Sequence, residues 1–317
     1  MPMVKRIFEI LDPGPMTTIQ DRGRFGFQRF GIPLSGSLDK FSSHVANRLV
    51  GASDDSPVLE MTFIGPQMVA LADCFVAVAG ADMPMYVNGI EQRGWSSIEV
   101  HKGALVHFGP ARKGLRSYLS VDGGICCKPL MGSCSTFVAA NLGGIDGGKL
   151  KKGQFLKAHE AIRVARPQTL PEEYRPTLSN NVTLRVLFGP QDDFFDKGLD
   201  TFVSSDYIVS PKSDRMGYRL QGPFIEFKNG SPMTIISEPS MPGCVQVPPD
   251  GQPIVLFVEQ TVGGYAKIAT IISADLDSLA QCRPGAKINF RLADLEQAQE
   301  AYVQYMKKLQ QITLANI

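Results

Sequence analysis

The sequence predicts a mainly β protein, for three reasons. The 317 residues include 31 glycines and 22 prolines, and such a density of turn-forming residues favours many short strands over long helices. Segments with period-two alternation and β-branched residues recur between the turns. Helical periodicity is confined to two places. The strand-like segments, residues 75–82, 97–109, 116–124, 182–190, 253–260 and 266–272, indicate barrels or sandwiches.

The first helix is predicted over residues 39–50. Asp39 can cap its N-terminus, because a carboxylate there accepts a hydrogen bond from a backbone amide of the first turn. Gly51 can end the helix. Apolar residues recur between them at i, i+4 and i+8, namely Phe41, Val45 and Leu49.

The second helix is predicted over about residues 292–314. One face of it is apolar and carries Leu295, Ala298, Tyr302, Tyr305, Leu309 and Ile312. We expect that face to pack against a lobe of the protein or against a partner.

The chain is long enough for two domains or one large one. Residues 163–181 contain three prolines and little apolar periodicity, which is typical of a linker. A faint repeat lies on either side of this segment, since a stretch that begins Asp21-Arg22 resembles one that begins Asp214-Arg215. The predicted organisation is a first β lobe at 1–165, an inter-lobe linker at 166–181, a second β lobe at 182–291 and a C-terminal helix at 292–317.

The charge balance disfavours polyanionic partners. The 32 Lys and Arg residues against 31 Asp and Glu residues give a formal net charge of +1, so no bulk field attracts a nucleic acid or an anionic membrane. The N-terminal residues have neither a signal peptide nor an apolar run long enough to span a membrane. We therefore expect a cytoplasmic protein that binds neither nucleic acid nor membrane.

The six cysteines are predicted to be reduced thiols, because none stands in a C-x-x-C pair and the chain is too large to need disulfides. Cys126, Cys127 and Cys134 form a sequence cluster, but no histidine has ligand spacing to it. We expect small buried residues there and no metal site.

Several apparent catalytic motifs fail on closer reading. Residues 143–150 fit G-x-x-x-x-G-K, but Leu150 stands where a phosphate loop needs a hydroxyl. A glycine turn is the better interpretation. His101 and His107 would lie about 20 Å apart on a strand, too far to share a metal ion. The sequence also lacks the zinc-protease, serine-hydrolase and dinucleotide fingerprints.

Residues 17–39 carry a stronger signal, because the segment is glycine-rich, polar and ends at a helix N-terminus. Arg22 and Gln28 supply donors, and Ser35 lies where free backbone amides can hold a carboxylate or a phosphate. Asp39 can either cap the helix or orient a water as a base. The alternative is a structural corner in which the arginines pair with Asp21 and Asp39.

Two further polar segments, 213–223 and 242–265, lie in the second half. With Lys267 close behind, their donors suit the binding of a small polar amide or carboxylate, without a metal. We predict that they meet residues 17–39 across the lobe interface. Arg22, Arg215 and Asp39 are the predicted catalytic residues. The predicted substrate-binding residues are Gln28, Ser35, Asp214, Tyr218, Gln246, Thr261, Tyr265 and Lys267.

These segments, together with residues 46–51, 59–66 and 118–125, resemble the family known as the 5-oxoprolinase C subunit, allophanate hydrolase subunit 2 or biotin-dependent carboxyltransferase subunit (KipA-like). The resemblance spans about residues 10–290 and implies two β-barrel lobes of cyclophilin-like type. Two positions depart from the family pattern. Val262 stands where a threonine is expected, which bears on substrate choice, and Glu259 replaces an expected aspartate.

The resemblance implies partners, namely the B subunit of 5-oxoprolinase (KipI-like) and its A subunit, and a chain that is inactive alone. With ATP and Mg²⁺, such a complex cleaves 5-oxoproline to L-glutamate. Two alternatives stay open. One is the carboxyltransferase subunit of a biotin-dependent urea or amide carboxylase, which would need a separate biotin carrier. The other is a non-enzymatic regulator that binds a kinase-inhibitor subunit.

Overall fold

The computed structural model describes residues 3–160 and 167–316. The chain divides into two compact units. The first comprises Met1–Phe25, Ser35–Leu178 and Gln311–Ile317, and the second comprises Gly26–Leu34 and Ser179–Gln310. The predicted boundary between the first lobe and the linker, at residues 165 and 166, lies outside the described residues.

Among the described residues, twelve strands of the first unit lie before residue 179. They are β1 (Val4–Asp12), β2 (Thr17–Gln20), β3 (Val58–Thr62), β4 (Gln67–Ala70), β5 (Cys74–Asp82), β6 (Met85–Val87), β7 (Ile90–Gln92), β8 (Ser97–Val100), β9 (Leu105–Phe108), β10 (Lys113–Val121), β11 (Phe155–His159) and β12 (Gln168–Thr169). A six-stranded sheet has the order β11-β1-β4-β9-β6-β7, and a five-stranded sheet has the order β2-β3-β10-β5-β8.

The core of the first unit is formed by buried apolar residues from both sheets, such as Ile10, Met68, Val76 and Leu119. Helix α1 (Lys40–Leu49) contacts β10 and β5 of the five-stranded sheet. Its predicted extent is confirmed, because Asp39 is the N-cap residue and Val50 the C-cap residue.

The second unit contains a closed barrel. Its elements are β13 (Asn181–Phe188), α2 (Lys197–Ser204), β14 (Asp206–Val209), β15 (Gly217–Gln221), β16 (Glu238–Pro239), β17 (Cys244–Val247), β18 (Ile254–Leu256), β19 (Val262–Gly263), β20 (Ala266–Ile271), α3 (Leu276–Ala280), β21 (Lys287–Leu292) and α4 (Leu295–Gln310). The barrel order is β13-β20-β17-β18-β15-β14-β21. β16 and β19 form a separate two-stranded ribbon.

Aromatic residues dominate part of the barrel core. Phe202 of α2 stacks on Phe290 of β21 with ring centroids 4.4 Å apart, and Tyr207 lies 5.8 Å from the same ring. Burial raises the pKa of Tyr207 to about 12. The low polarity that stabilises the core therefore also keeps this phenol protonated.

The C-terminal helix is shorter than the sequence analysis predicts. Asp294 Oδ1 accepts a hydrogen bond from the Gln297 amide at 2.8 Å, and the Gln297 side chain accepts one from the Asp294 amide at 3.3 Å. This capping box starts α4 at Leu295, so Leu292 remains the last residue of β21. Beyond α4, the final strand, β22 (Ala315–Asn316), pairs with β12 in the first unit.

The prediction that all six cysteines are reduced is wrong for two of them. Cys127 and Cys134 form a disulfide, with their Cα atoms 6.2 Å apart. Met131 and Gly132 both have positive φ, and Leu130 bridges Ser133, so the chain reverses between the two cysteines. The sequence spacing alone does not reveal this reversal.

The mainly β fold class with few helices is confirmed. The segment at residues 143–150 forms turns, as predicted, and is followed by β11 rather than by a helix. In the described part of the chain, no helix combines the length and the apolar composition needed to cross a membrane.

Candidate functional site

Asp39 caps α1 with both carboxylate oxygens. Its Oδ1 accepts a hydrogen bond from the Ser42 amide at 2.9 Å, and its Oδ2 accepts one from the Ser42 hydroxyl at 2.6 Å. Asp39 is only 2% exposed. The capping role predicted for this residue is therefore observed, and its role as a base stays a prediction.

A second carboxylate network, absent from the sequence analysis, holds the residues just before α1. Glu60 Oε2 accepts hydrogen bonds from the Leu38 amide at 3.0 Å and from the Tyr118 hydroxyl at 2.9 Å. The Tyr118 hydroxyl in turn accepts one from the Asp39 amide at 2.8 Å. Burial and the nearby Glu60 charge raise the pKa of Tyr118 well above its ordinary value.

Ser35 lies in this same turn and is buried, with φ of 54°. The hydroxyl oxygens of Ser35 and Ser37 are buried and have no hydrogen-bond partner among the described residues. Unpaired hydroxyls beside a helix N-terminus agree with the predicted anion-holding role of Ser35, which stays a prediction.

The arginines of residues 17–39 do not form the pairs that a structural corner with Asp21 and Asp39 would need. Arg22 is exposed and forms an ion pair with Asp55. Arg24 is fully buried and donates to the carbonyls of Leu130 and Ser135 at 3.0 and 2.9 Å. Burial lowers the pKa of Arg24.

Asp21 is instead bound by residues 133–135, at the C-terminal end of the disulfide loop. It accepts hydrogen bonds from the Ser133 hydroxyl at 2.7 Å, the Cys134 amide at 2.6 Å and the Ser135 hydroxyl at 2.5 Å. It also accepts one from the Gly23 amide at 2.8 Å. Asp21 therefore organises its own turn and anchors it to residues 133–135.

In the second unit, Arg215 forms a buried ion pair with Glu259. Arg215 Nε lies 2.6 Å from Glu259 Oε1, and the two side chains are 9% and 11% exposed. Asp214 Oδ1 accepts hydrogen bonds from the amides of Met216 and Gly217 at 2.8 and 3.1 Å. These contacts hold the turn that places Arg215.

Tyr218 and Gln28 occupy different settings. Tyr218 is 1% exposed, and its hydroxyl donates to the carbonyls of Ala280 and Cys282 at 3.4 Å. Its contacts are therefore those of a core residue. Gln28 lies in a short 3-10 helix, Gln28–Phe30, within the segment grouped with the second unit.

The strongest polar cluster of the second unit centres on Lys267 of β20. The Lys267 side chain is 3% exposed, and its Nζ lies 2.5 Å from Glu238 Oε1. Gln191 connects the pair, because its Oε1 accepts from the Lys267 amide at 3.0 Å and its Nε2 donates to Glu238 at 3.1 Å. The hydrogen bond from Lys267 lowers the pKa of Glu238.

Gln246 of β17 lies directly opposite Lys267 in the barrel. The register of β17 and β20 shifts between Val245 and Gln246, which pairs Gln246 with Lys267. Such a bulge redirects side chains. The Gln246 Nε2 atom is buried and has no hydrogen-bond partner in the part of the chain that the structure describes.

The ribbon of β16 and β19 lies against this cluster. A Cβ at Gly263 would come within 1.9 Å of Gln246 Nε2, so the ribbon packs directly on the amide. Glu238 pairs with Gly263 in the ribbon. The same ribbon thus supplies the carboxylate and covers the amide.

Two predicted residues flank the ribbon. The Thr261 carbonyl accepts a hydrogen bond from the Ser240 amide at 3.0 Å, which extends the pairing of the ribbon. Tyr265 is 37% exposed and lies between the ribbon and β20. Neither contact assigns a catalytic role.

The structure thus pairs Gln246 with Lys267, whereas Arg215 lies just before β15 and pairs with Glu259. Gln246 pairs with Ile254 at one end of β18, whereas Gly217, beside the Arg215 turn, pairs with Leu256 at the other end. We refer below to Lys267, Glu238, Gln191, Gln246 and Gly263 as the Lys267 cluster.

Glu238 and Gln191 were not among the site residues predicted from the sequence. Glu238 lies 29 residues and Gln191 76 residues from Lys267 in sequence, so no local pattern connects them. A buried lysine needs a counter-charge, so a lysine in an apolar strand is itself a signal that a carboxylate partner lies elsewhere in the chain. Across residues 3–160 and 167–316, no group of three or more His, Cys, Asp and Glu side chains could hold a metal ion.

The Lys267 cluster offers two buried hydrogen-bond donors, the Lys267 ammonium and the Gln246 amide. A buried ammonium and a buried, unpaired amide can stabilise a carboxylate or an oxygen on which negative charge develops. Electrostatic attraction is stronger there than in water. The arrangement can therefore bind an anionic group and activate a carbonyl.

The family described as "Carboxyltransferase domain, subdomain A and B" matches residues 30–292. The chain is 36% identical to the C subunit of 5-oxoprolinase from Escherichia coli over 309 residues, which are 96% of this chain and 97% of that protein. It is 34% identical to the protein of the same name from Haemophilus influenzae over 295 residues, which are 92% of this chain and 93% of the relative.

Larger proteins contain a similar region. The urea amidolyase of Saccharomyces cerevisiae is 32% identical over 89% of this chain, which corresponds to 16% of that protein. The crystal structure of the K. lactis urea amidolyase matches 99% of this chain at 29% identity with a TM-score of 0.92. The chain spans only 20% of that structure.

Proposed function

Because the chain belongs to the carboxyltransferase family of subdomains A and B, we propose that it is the C subunit of an ATP-dependent 5-oxoprolinase. Together with the A and B subunits, it forms a complex that cleaves 5-oxoproline to L-glutamate with hydrolysis of ATP. One observation carries this proposal: the two 5-oxoprolinase proteins match over 93% and 97% of their own length. We place the complex in the cytoplasm, where ATP is present.

In this proposal the Lys267 cluster binds 5-oxoproline. The Lys267 ammonium and the Gln246 amide are donors for the carboxylate oxygens of the substrate, and this contact holds the lactam in place for attack by water on its carbonyl carbon. In the ligand-free chain, Glu238 and Gln191 hold Lys267 through the contacts described above. ATP and Mg²⁺ are assigned to the assembled complex, where ATP would supply the phosphoryl group that activates the lactam oxygen and that leaves as inorganic phosphate when the ring opens.

A second candidate is the carboxyltransferase subunit of a biotin-dependent urea or amide carboxylase. The family description and the similarity to urea amidolyases favour it. Biotin would then arrive on a separate carrier, and the same donors would hold the carboxyl group during its transfer. The two candidates differ in substrate and cofactor but share the requirement for Lys267.

The test is reconstitution of this chain with the A and B subunits. We expect ATP hydrolysis that depends on 5-oxoproline, no turnover by this chain alone, and a loss of about 100-fold or more in Lys267→Met. Lys287→Met is the matched control, because Lys287 pairs with Asp206 at 2.7 Å but is 43% exposed.

Other outcomes would replace the proposal. Biotin-dependent incorporation of bicarbonate into urea would favour the carboxyltransferase. A stable complex with the B subunit that turns over neither substrate would favour a regulator that binds a kinase-inhibitor subunit. ATP-dependent 5-oxoproline cleavage by this chain alone would contradict the need for partners.

A further inference from the structure

The ammonium of Lys267 has its carboxylate partner in a segment outside the barrel. Lys267 itself is part of barrel strand β20, and its side chain is 3% exposed. Glu238 belongs to the two-residue strand β16, which pairs only with β19, and its side chain is 41% exposed. The carboxylate therefore reaches the buried ammonium from the solvent side.

The residues that carry Glu238 are exposed. Met233, Ile236 and Met241 are 49%, 94% and 70% exposed. Residues 222–243 contain no helix. Barrel strand β15 ends before this segment, at Gln221, and barrel strand β17 begins after it, at Cys244. Ile225, Phe227 and Ser240 are buried, but none of residues 228–239 is. A stretch without buried residues is the pattern of a segment that opens at low cost.

The second donor of the cluster is unused in the free protein. Gln246 is 3% exposed, and its Nε2 atom has no hydrogen-bond partner among the described residues. A buried donor without a partner is uncommon and calls for an explanation. Gln246 pairs with Lys267 across the two strands, so an anion held by the ammonium would lie near the amide.

Gly263 explains how the ribbon closes over this donor. A Cβ at Gly263 would lie 1.9 Å from Gln246 Nε2, so the ribbon in its observed position covers the amide. A ligand reaches Gln246 only when the ribbon moves away. Glu238 moves with the ribbon, because Glu238 and Gly263 pair within it.

We propose that Lys267 and Gln246 form a binding site for the carboxylate of a small substrate, and that Glu238 occupies this site as an internal carboxylate until the substrate displaces it. Displacement lifts the ribbon and gives the Gln246 amide its missing acceptor. The identity of the ligand rests on the proposed function, because 5-oxoproline carries one carboxylate beside its lactam. The site itself does not depend on that function.

The experiment measures binding to the intact chain by calorimetry, with 5-oxoproline and with 2-pyrrolidinone, the same lactam without a carboxylate. In Glu238→Gln the internal competitor is removed while the side-chain shape is kept. We expect 5-oxoproline to bind about tenfold more tightly or better, the size of one charge-assisted hydrogen bond, and 2-pyrrolidinone to be unaffected. Asp206→Asn is the matched control, since it removes the partner of the exposed Lys287.

A second variant tests the site without leaving a buried charge unpaired. Because Gln246 Nε2 has no partner among the described residues, Gln246→Met should keep the unfolding midpoint unchanged or raise it. It should nevertheless weaken 5-oxoproline binding about tenfold. A structural glutamine would behave in the opposite way, with a lower midpoint and unchanged binding.

The inference is overturned if Glu238→Gln weakens or does not change 5-oxoproline binding, or if 2-pyrrolidinone gains equally. Its failure is distinct from failure of the proposed function. If the variants bind 5-oxoproline as expected but the complex has no oxoprolinase activity, the carboxylate site stands and the proposed function is rejected. If the complex is an active 5-oxoprolinase, but the variants Glu238→Gln and Gln246→Met bind 5-oxoproline as tightly as the unmodified chain does, the proposed function stands and this site is rejected.

Discussion

The two units contain similar short turns, each built around an Asp-Arg pair. In the first unit the Asp21 carboxylate accepts a hydrogen bond from the amide two residues ahead, Gly23, at 2.8 Å. In the second unit the Asp214 carboxylate does the same with Met216 at 2.8 Å. The repeat in the sequence thus corresponds to a shared carboxylate–amide hydrogen bond. The backbone differs at the third residue, because Gly23 has a φ of 103° and Met216 does not have positive φ.

The arginines of the two turns nevertheless have opposite environments. Arg22 is 61% exposed and pairs with Asp55, which is 65% exposed. Arg215 and its partner Glu259 are both nearly buried. The same Asp-Arg pair with the same carboxylate–amide hydrogen bond therefore carries a solvated ion pair in one unit and a desolvated one in the other. The energetic weight of each arginine depends on its distant partner, not on the turn.

The largest expected effect on stability distinguishes the buried ion pair, Arg215–Glu259, from the exposed one, Arg22–Asp55. Glu259→Ala leaves the Arg215 guanidinium buried without this carboxylate and should lower the free energy of unfolding by about 3–5 kcal/mol. Asp55→Ala removes the partner of an exposed arginine and should cost about 1 kcal/mol or less. Urea denaturation of both variants measures the difference. Equal losses would show that the two arginines are energetically alike.

The next effect concerns the disulfide, which supports only the first turn. The loop between Cys127 and Cys134 leads into the residues that bind Asp21. Cys127→Ser should cost about 2–3 kcal/mol, from the closure entropy of a loop of about eight residues. Cys126→Ser is the matched control, because Cys126 is a free thiol next to it.

Hydrogen exchange localises this effect. We expect faster exchange of the Gly23 amide in Cys127→Ser, because its acceptor Asp21 loses support. The Met216 amide in the second turn should be unchanged. Equal protection of Gly23 in both cysteine variants would show that the disulfide does not hold the turn.

A smaller effect is expected for the cap of α1. Asp39→Ala should lower stability by about 1 kcal/mol, the usual value for loss of an N-cap. Turnover of the reconstituted complex should change little beyond this, because both carboxylate oxygens already bind Ser42. A loss of about 100-fold in turnover at nearly unchanged stability would instead assign Asp39 to the transition state.

The smallest effect on stability is expected for Arg22→Ala, about 0–1 kcal/mol, because its ion pair is exposed. If Arg22 holds an anionic group of substrate or nucleotide, KM of the complex rises while the unfolding midpoint stays the same. The matching change, Arg215→Ala, should lower the midpoint. Unchanged KM in Arg22→Ala would exclude the predicted binding role.

Much of the fold could be predicted because it depends on local signals. Alternation and turn residues predicted strands such as β5, β10, β13 and β20, and the Asp39 cap with its apolar spacing predicted α1. The segment predicted as one run at residues 97–109 is instead two strands, β8 and β9, separated by a turn. The start of α4 was also encoded locally, in the capping box of Asp294 and Gln297. The apolar periodicity extends N-terminally beyond that box, so the predicted helix began too early, at about residue 292. The reversal that joins Cys127 to Cys134 has no such signature in the residue spacing.

The candidate site could be predicted only in part. Gln246 was predicted because it lies near the turns that flank a strand hairpin, and Lys267 because it closely follows the same polar segment; the structure pairs the two across β17 and β20. Glu238 and Gln191 were not predicted, because their contacts with Lys267 depend on how the ribbon and the loop after β13 pack on the bulge of β20. Gly189 shows how close that packing is, since a Cβ there would lie 2.1 Å from the Lys267 carbonyl oxygen.

The sequence by itself determined the features that rest on neighbours two to four residues apart: the strands, the two Asp-Arg turns and the capped helix. Only the tertiary structure decided which charges are buried and what they meet. Hydrogen bonds of turns and caps form within one segment, whereas the pairs Arg215–Glu259 and Lys267–Glu238 join residues 44 and 29 positions apart. Such pairs exist only once strand register and ribbon packing have removed both partners from water.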